Sequence, residues 1–502
     1  MSSLWQNSTN NNSFKTLSKD IMTDVCIIGG GVFGLTCGYY LSKEGLKVTL
    51  IERNDLLQGV TGNTTAKITS QHNLIYKYLV DSLGADMAKQ YLNANQCAVY
   101  NIRDIVKNEN IDCDFEKQDS FVYTTDPNEV EKIKLENDVV NELGFKSEFT
   151  TKLKLPFPVL GAIKFPNQAQ FNPVKYGLGL ANKILERGGE IFTNSLVDNV
   201  EQKDNILLVS TKNNYIKSKY VILASHYPFI DRLGYYFLKM YQSTSYVIGV
   251  DIKDESFDGM YINTKSPIFS YRFANDGQKR ILLVGGADHK TGSKIDLSNA
   301  YEILEKEIKK YYPNAQVIYR WNTEDCISLD KIPYIGEFSN FIPNMYVGTG
   351  FNKWGMTSSN VAANIITDKI LGRENEYEEV FKSTRLHPIK NNEEMGSMLK
   401  ETVNSVLVNK FKVPALDLEK IKNNTGAVLE YDKQKLGVYK NSRGEIFAVK
   451  PICTHLGCLL SWNNIDKTWD CPCHGSRFDY MGKNIYNPAI KDLEMIDIEL
   501  DG

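Results

Sequence analysis

Apolar and polar positions first alternate with a clear period at residue 24. Val25-Cys26-Ile27-Ile28 is a short apolar run that predicts a buried strand. Gly29-Gly30-Gly31-Val32-Phe33-Gly34 follows, then a helical stretch to about Glu44 with Gly45 as its stop. Val48 to Ile51 reads as a second strand, ending at Glu52. Amphipathic spacing predicts helices near 85–107 and 127–143, with β-like text at 120–125. Asn172-Pro173 begins another helix that Gly188-Gly189 ends, since proline suits the first helical turn. Inside it, Gly177 and Gly179 read as a close-packing face. Strand-rich text covers 190–225, 246–252 and 281–284, a helix covers 297–311, and a strand at Tyr346-Val347 precedes a helix near 358–371. Residues 373–412 are charged and read as a linker with some helix. From 413 short strands and turns, such as 427–431 and 446–449, predict a small all-β module. Residues 1–21 are polar and predict disorder.

At 502 residues the chain is too long for one core. A net charge of −3 without a basic stripe argues against a nucleic-acid partner. No apolar run reaches the length of a membrane span, and no secretory leader is legible, so the default is a soluble cytoplasmic protein.

Two motifs carry chemistry. Gly29-x-Gly31-x-x-Gly34 lies between an apolar strand and a helix, with Glu52 closing the next strand. The first glycine permits the tight turn, the second lets backbone approach a pyrophosphate, and the third lets helix pack on strand. The pyrophosphate sits at the helix N-terminus, and Glu52 can accept hydrogen bonds from a ribose. The motif does not separate FAD from NAD. The second motif is Cys453-Thr454-His455-Leu456-Gly457-Cys458, followed by Cys471-Pro472-Cys473-His474-Gly475-Ser476. Each loop offers one Cys and one His in the order C-x-H and C-x-x-H. Two Cys and two His can hold one zinc ion, but one of each per loop also suits two irons, one bound by thiolates and the other by imidazoles. Cys26, Cys37 and His72 read as structural.

The second motif resembles the Rieske [2Fe–2S] family. The resemblance implies Cys453, His455, Cys471 and His474 as ligands, a Cys458–Cys473 disulfide, and Asn487-Pro488 as the loop that covers the cluster. Ser476 matches the family, whereas Phe478 stands where the subgroup related to cytochrome bc complexes has tyrosine. Fewer hydrogen bonds to sulfur imply a lower reduction potential.

Residues 22–372 resemble the D-amino-acid oxidase-like family. The likeness rests on Thr349-Gly350-Phe351-Asn352-Lys353-Trp354-Gly355-Met356-Thr357, on Asp330 to Gly336, on Arg53 after Glu52, and on Thr61-Gly62-Asn63-Thr64-Thr65-Ala66-Lys67. It implies FAD as the dinucleotide and an α/β FAD-binding domain (Rossmann-like, glutathione-reductase-type) with an interleaved α+β substrate domain, followed by the small all-β Rieske domain. FAD-binding segments are then expected near 22–80, 155–235 and 325–372, the substrate domain near 81–154 and 236–324, and the Rieske domain at 413–502. Expected FAD contacts are Gly29, Gly31, Val32, Phe33, Gly34, Glu52, Arg53, Thr61, Thr64, Thr65, Val197, Ala224, Ser225, Gly350, Phe351, Lys353, Trp354, Gly355, Met356 and Thr357. Family members oxidise amines and amino acids. Arg272 is the candidate for a substrate carboxylate, and Lys67 and Lys353 for roles near the flavin. For each, a structural or solvated side chain is the plainer alternative, as it is for His226 and His289, which could line the flavin. The expected activity is a dehydrogenase that passes electrons from an amine or amino-acid substrate through FAD and the cluster to a protein or quinone acceptor. The alternative is an electron-carrying or redox-sensing protein with no such substrate.

Overall fold

A computed structural model describes residues 2–9, 13–230, 234–253, 257–293, 299–385, 421–431 and 434–498. The central strand, Ile21–Ile28, is exposed at every second residue at its start and wholly buried from Val25 onward. It pairs in parallel with Val48–Ile51 on one side and Tyr215–Leu223 on the other. Both neighbours extend the parallel arrangement, to Glu190–Phe192 and Met345–Thr349. Burial on both faces explains why the inner stretches of these strands, 25–28, 48–51 and 221–223, are almost purely apolar. The eight-stranded sheet is completed by Tyr334–Glu337 and the hairpin of Val197–Lys203 with Ile206–Thr211. Helix Val32–Lys43 packs against Pro173–Glu186 and Gly355–Leu371. Gly38 permits the first contact, because a Cβ there would stand 2.7 Å from Ile184 Cδ1.

A second, nine-stranded sheet lies beside the first. Its longest strands, Met240–Asp251, Arg280–Lys290 and Gln316–Ser328, are antiparallel. Met260–Asn263 joins Glu116–Thr124 in parallel, which welds two stretches far apart in sequence into one sheet. Segments 161–170 and 325–328 fall in this sheet, although expected on the FAD side, because Gly161–Gln170 and Gln316–Ser328 run through those limits without a break.

The expectation of disorder near the N-terminus is corrected. Near the N-terminus, Leu4–Ser8 forms a helix capped by Ser3, with Leu4 and Trp5 fully buried. In the stretch read as linker, Val380 and Phe381 are buried and Arg385 forms a buried ion pair with Asp330 at 2.8 Å. Residues 386–412 of that linker, and 413–420, lie outside the described residues.

The C-terminal part is all-β. Thr425–Tyr431, Gln434–Lys440 and Ile446–Val449 form one sheet, and Ser461–Asn463, Thr468–Asp470, Arg477–Asp479 and Asn484–Tyr486 another. Trp469 fills the space between them, against Trp462 at 4.7 Å and beneath Gly437, where a side chain would collide with it. No helix of the described residues is long and apolar enough to cross a membrane.

Candidate functional site

Gly29, at φ +121°, turns the chain from the central strand into helix Val32–Lys43, and a Cβ there would collide with the Ala224 carbonyl. Gly34 meets the Gly29 carbonyl just as closely, so it serves helix packing and does not line the cavity. The helix N-terminus opens into a cavity of about 370 Å³. Its wall includes Gly29, Gly31, Val32, Phe33, Glu52, Arg53, Thr61 and Thr64, then Val197, Ala224 and Ser225, then Phe351, Lys353, Gly355 and Met356. Elements separated by more than three hundred residues thus meet around one space. The Glu52 carboxylate accepts from the Gly30 and Asn54 amides at 2.7 and 2.9 Å, and burial raises its pKa. Thr61 Oγ1 accepts from the Val32 amide at 3.0 Å. His226 also lines the cavity, its Nε2 buried without a hydrogen-bond partner among the described residues. Glycine-lined backbone at a helix N-terminus, an acid at the next strand end and an unsatisfied imidazole nitrogen fit FAD.

Several expected contacts stand behind the wall. Trp354 stacks on buried His72 at 4.9 Å, and Thr357 Oγ1 donates to the Thr69 carbonyl at 3.2 Å. Thr65 packs against Gly285, and Gly350 makes a left-handed turn at φ +69°. Lys67 and Arg272 do not line the cavity either. Lys67 Nζ donates to the Tyr261 carbonyl and Ser270 Oγ at 2.8 and 2.6 Å. Arg272 donates to the Phe171 carbonyl at 3.2 Å and lies 5.1 Å from the Trp5 ring. The two cations are neighbours, and burial with the nearby Arg272 charge lowers the Lys67 pKa to about 7. Lys353 holds Ser245 Oγ and Asp288 at 3.0 and 3.1 Å. Asp325, unremarked in the sequence, lines the cavity with its pKa raised to about 6 by burial. Burial lowers the His226 pKa to about 4. His289 does not line the cavity and instead stacks on Tyr246.

In the C-terminal domain, Cys453 and Cys471 are buried free cysteines whose thiols reach each other. The His455 and His474 rings stand 5.2 Å apart, and no side chain of the described residues occupies the His474 ring nitrogens. Cys458 and Cys473 are joined by a disulfide. Sulfurs of Cys458, Cys471 and Cys473 cluster within 4.8 Å, but the disulfide leaves only Cys471 of these free to ligate. Two free thiols and two imidazoles, one of each from each loop, fit a [2Fe–2S] cluster. Ser476 lies within reach of Cys453 sulfur and accepts from the Ala489 amide at 3.0 Å, while Phe478 is fully buried.

The two centres are built against each other. Gln242, in the second sheet, donates to the carbonyls of His474 and Asn487 at 3.0 and 2.6 Å. Asn487 Nδ2 donates to the Ser225 and Tyr227 carbonyls at 3.1 and 3.3 Å. His474 is fully buried, edge-on to Phe237 at 5.9 Å. Arg477 is wholly buried and pairs with Glu324 across the interface at 2.5 Å, and with Asp466 and Asp470 at 2.7 and 2.9 Å. Its charge is held firmly by these three carboxylates. Sequence reading missed Gln242, Glu324, Arg477 and Trp5. Only Trp5, beside Leu4 in polar surroundings, carried an apolar signal.

The model of the FAD-dependent oxidoreductase (DAO) family matches residues 24–369, and that of the Rieske [2Fe-2S] domain matches 411–497. The chain is 36% identical over 495 residues to YhfW of Bacillus subtilis, named as a Rieske 2Fe-2S iron-sulfur protein, covering 99% of this chain and 97% of that one. Gamma-glutamylputrescine oxidoreductase of Escherichia coli is 22% identical over 373 residues, covering 72% of this chain and 86% of the relative. Among solved structures, glycine oxidase from Geobacillus kaustophilus superposes with a TM-score of 0.62 at 16% identity, covering 73% of this chain and 99% of that one. Its likeness concerns the fold. The chain belongs to the FAD-dependent oxidoreductase family of amino-acid-oxidase type, binding FAD in its larger part and a [2Fe–2S] cluster in its C-terminal Rieske domain.

Proposed function

We propose that the chain is a dehydrogenase that oxidises an amine or amino-acid substrate and delivers the electrons singly, through the Rieske domain, to a protein or quinone acceptor. FAD, when bound, supplies two-electron oxidation of a C–H bond beside nitrogen, and the cluster supplies one-electron steps. The observation that carries the reading is the burial of His474 against the flavin domain, where Gln242 and Asn487 link it to the Ser225 and Tyr227 carbonyls. A cluster ligand buried against the domain that holds the FAD cavity suits transfer within the molecule. We place a substrate carboxylate at Lys67 and Arg272, two adjacent buried cations beyond the cavity wall, which requires the Trp5 ring to leave Arg272. Lys353 and Asp325 sit on the cavity wall, where a cation and a carboxyl can orient the flavin ring.

Anaerobic mixing of the holoprotein with a panel of amines and amino acids tests the reading. The expected result is flavin bleaching by one class, followed by the low-temperature EPR signal of a reduced Rieske cluster at a rate independent of protein concentration. Bleaching without that signal would sink the route, and fast oxygen consumption would make the enzyme an oxidase. A second reading, an electron carrier or redox sensor without a small-molecule substrate, is favoured by Trp5, which covers Arg272. It gains if no amine bleaches the flavin.

A further inference from the structure

The FAD cavity is not made by the flavin domain alone. Ile485, Tyr486, Asn487 and Ile490 of the Rieske domain line it too. Arg53, directly after Glu52, turns its guanidinium onto this loop, donating to Asn484 Oδ1 at 2.9 Å, Asn487 Oδ1 at 3.2 Å and the Ile485 carbonyl. A residue expected to serve the cofactor, and lining its cavity, also grips the other domain. Asn487 ties the loop to the opposite wall through the Ser225 and Tyr227 carbonyls.

We propose that residues 484–490 of the Rieske domain form part of the FAD site, so that FAD is retained only while that domain is docked. The proposal needs FAD in the cavity but does not need the substrate reading above. The docked position is also held by groups outside the cavity. These are Gln242 on His474 and Asn487, Arg477 on Glu324, and Ser461 Oγ on the Gly292 carbonyl at 2.9 Å. The fit is close: a Cβ on Gly475 would stand 2.5 Å from Gln242 Cβ, and one on Gly292 would stand 2.5 Å from Pro472 N. FAD contacts the loop only in the docked arrangement, so cofactor and docking stabilise each other by one shared coupling free energy. FAD is then loaded before or together with docking, and its release requires the domain to lift. This supplies a non-covalent means of keeping the flavin beside the cluster.

The test uses full-length holoprotein, wild type beside Gln242→Ala and Gly292→Ala. Neither residue lines the cavity. The first removes two hydrogen bonds across the interface and the second drives a methyl group into it. Release of FAD is read as the rise of free-flavin fluorescence on dilution, and docking as hydrogen exchange in peptides spanning 472–476 and 484–490. Faster exchange at 484–490 should accompany FAD release on the order of tenfold faster, the size of an ordinary coupling. In the wild type, removal of FAD should by itself speed exchange at 484–490. A loop that loosens in the variants without faster FAD release would overturn the proposal. So would a wild-type loop equally protected with and without FAD, and this second arm decides the matter if the variants fail to fold. Failure of the cofactor assignment would look different, as protein that takes up no FAD at all.

Discussion

Lys67 and Arg272 place two cations side by side in the interior, and neither touches a carboxylate among the described residues. Burial, then the Arg272 charge, brings the Lys67 pKa from its ordinary value down to about 7. The folded state therefore binds fewer protons than the unfolded chain between about pH 7 and the ordinary lysine value, and this group's contribution to stability rises with pH across that window. For a carboxylate-bearing substrate the charged form is the useful one. KM should climb as pH passes above about 7, and Lys67→Met should raise KM and flatten that profile. An unchanged profile in Lys67→Met would assign the titration to another group. Phe478 offers a second prediction. Phe478→Tyr returns a phenol that can donate to sulfur, and a bond worth ~1 kcal/mol more in the reduced cluster shifts the potential by about +40 mV. A redox titration followed by EPR reads this, and a shift to lower potential would contradict it. Both motifs were legible at this scale because glycine geometry and ligand chemistry restrict residue type. Lys67 was legible as a candidate, but its altered pKa was not, since burial is set by distant strands.

Among elements, the N-terminal helix Leu4–Ser8 shows how little local pattern says about packing. Five residues hold no helical period, yet Trp5 is buried, its Nε1 donating to the Thr64 carbonyl at 2.7 Å. Trp5→Ala should lower unfolding free energy by roughly 3–5 kcal/mol, the usual cost of emptying a large aromatic site, measured by denaturant titration. Trp5→Phe should cost far less, since it loses the hydrogen bond and part of the ring. If the two variants are equally stable, the ring does not pack as described. Longer elements behaved more simply. The helix beginning at Asn172-Pro173 starts where proline and asparagine place it, with Asn172 Oδ1 accepting from the Val174 and Lys175 amides. The Gly355–Leu371 helix begins earlier than its apolar pattern, because Gly355 and Met356 belong to both the helix and the cavity wall.

For the whole molecule, the buried Arg477 cluster makes the two parts one unit. Removing Arg477 would leave Glu324, Asp466 and Asp470 as uncompensated carboxylates, so Arg477→Gln should cost roughly 3–5 kcal/mol. In the wild-type holoprotein, loss of flavin binding and of cluster absorbance on heating should coincide. In Arg477→Gln the two transitions should separate. Two well-resolved transitions in the wild type would show that the domains unfold independently.

The sequence by itself determined the two chemistries and their order along the chain. Gly29-x-Gly31-x-x-Gly34 with Glu52, and the paired Cys-His loops, are local constraints in which a few adjacent residues must have one identity. The limits of the substrate domain were only partly readable, because strands such as Gly161–Gln170 choose a sheet by long-range pairing. Tertiary structure alone decided that Arg53 reaches a loop more than four hundred residues away, that Gln242 and Arg477 join the domains, and that Trp5 covers Arg272. Each of these contacts joins surfaces built by different parts of the chain, and no periodicity or motif within either part specifies its partner.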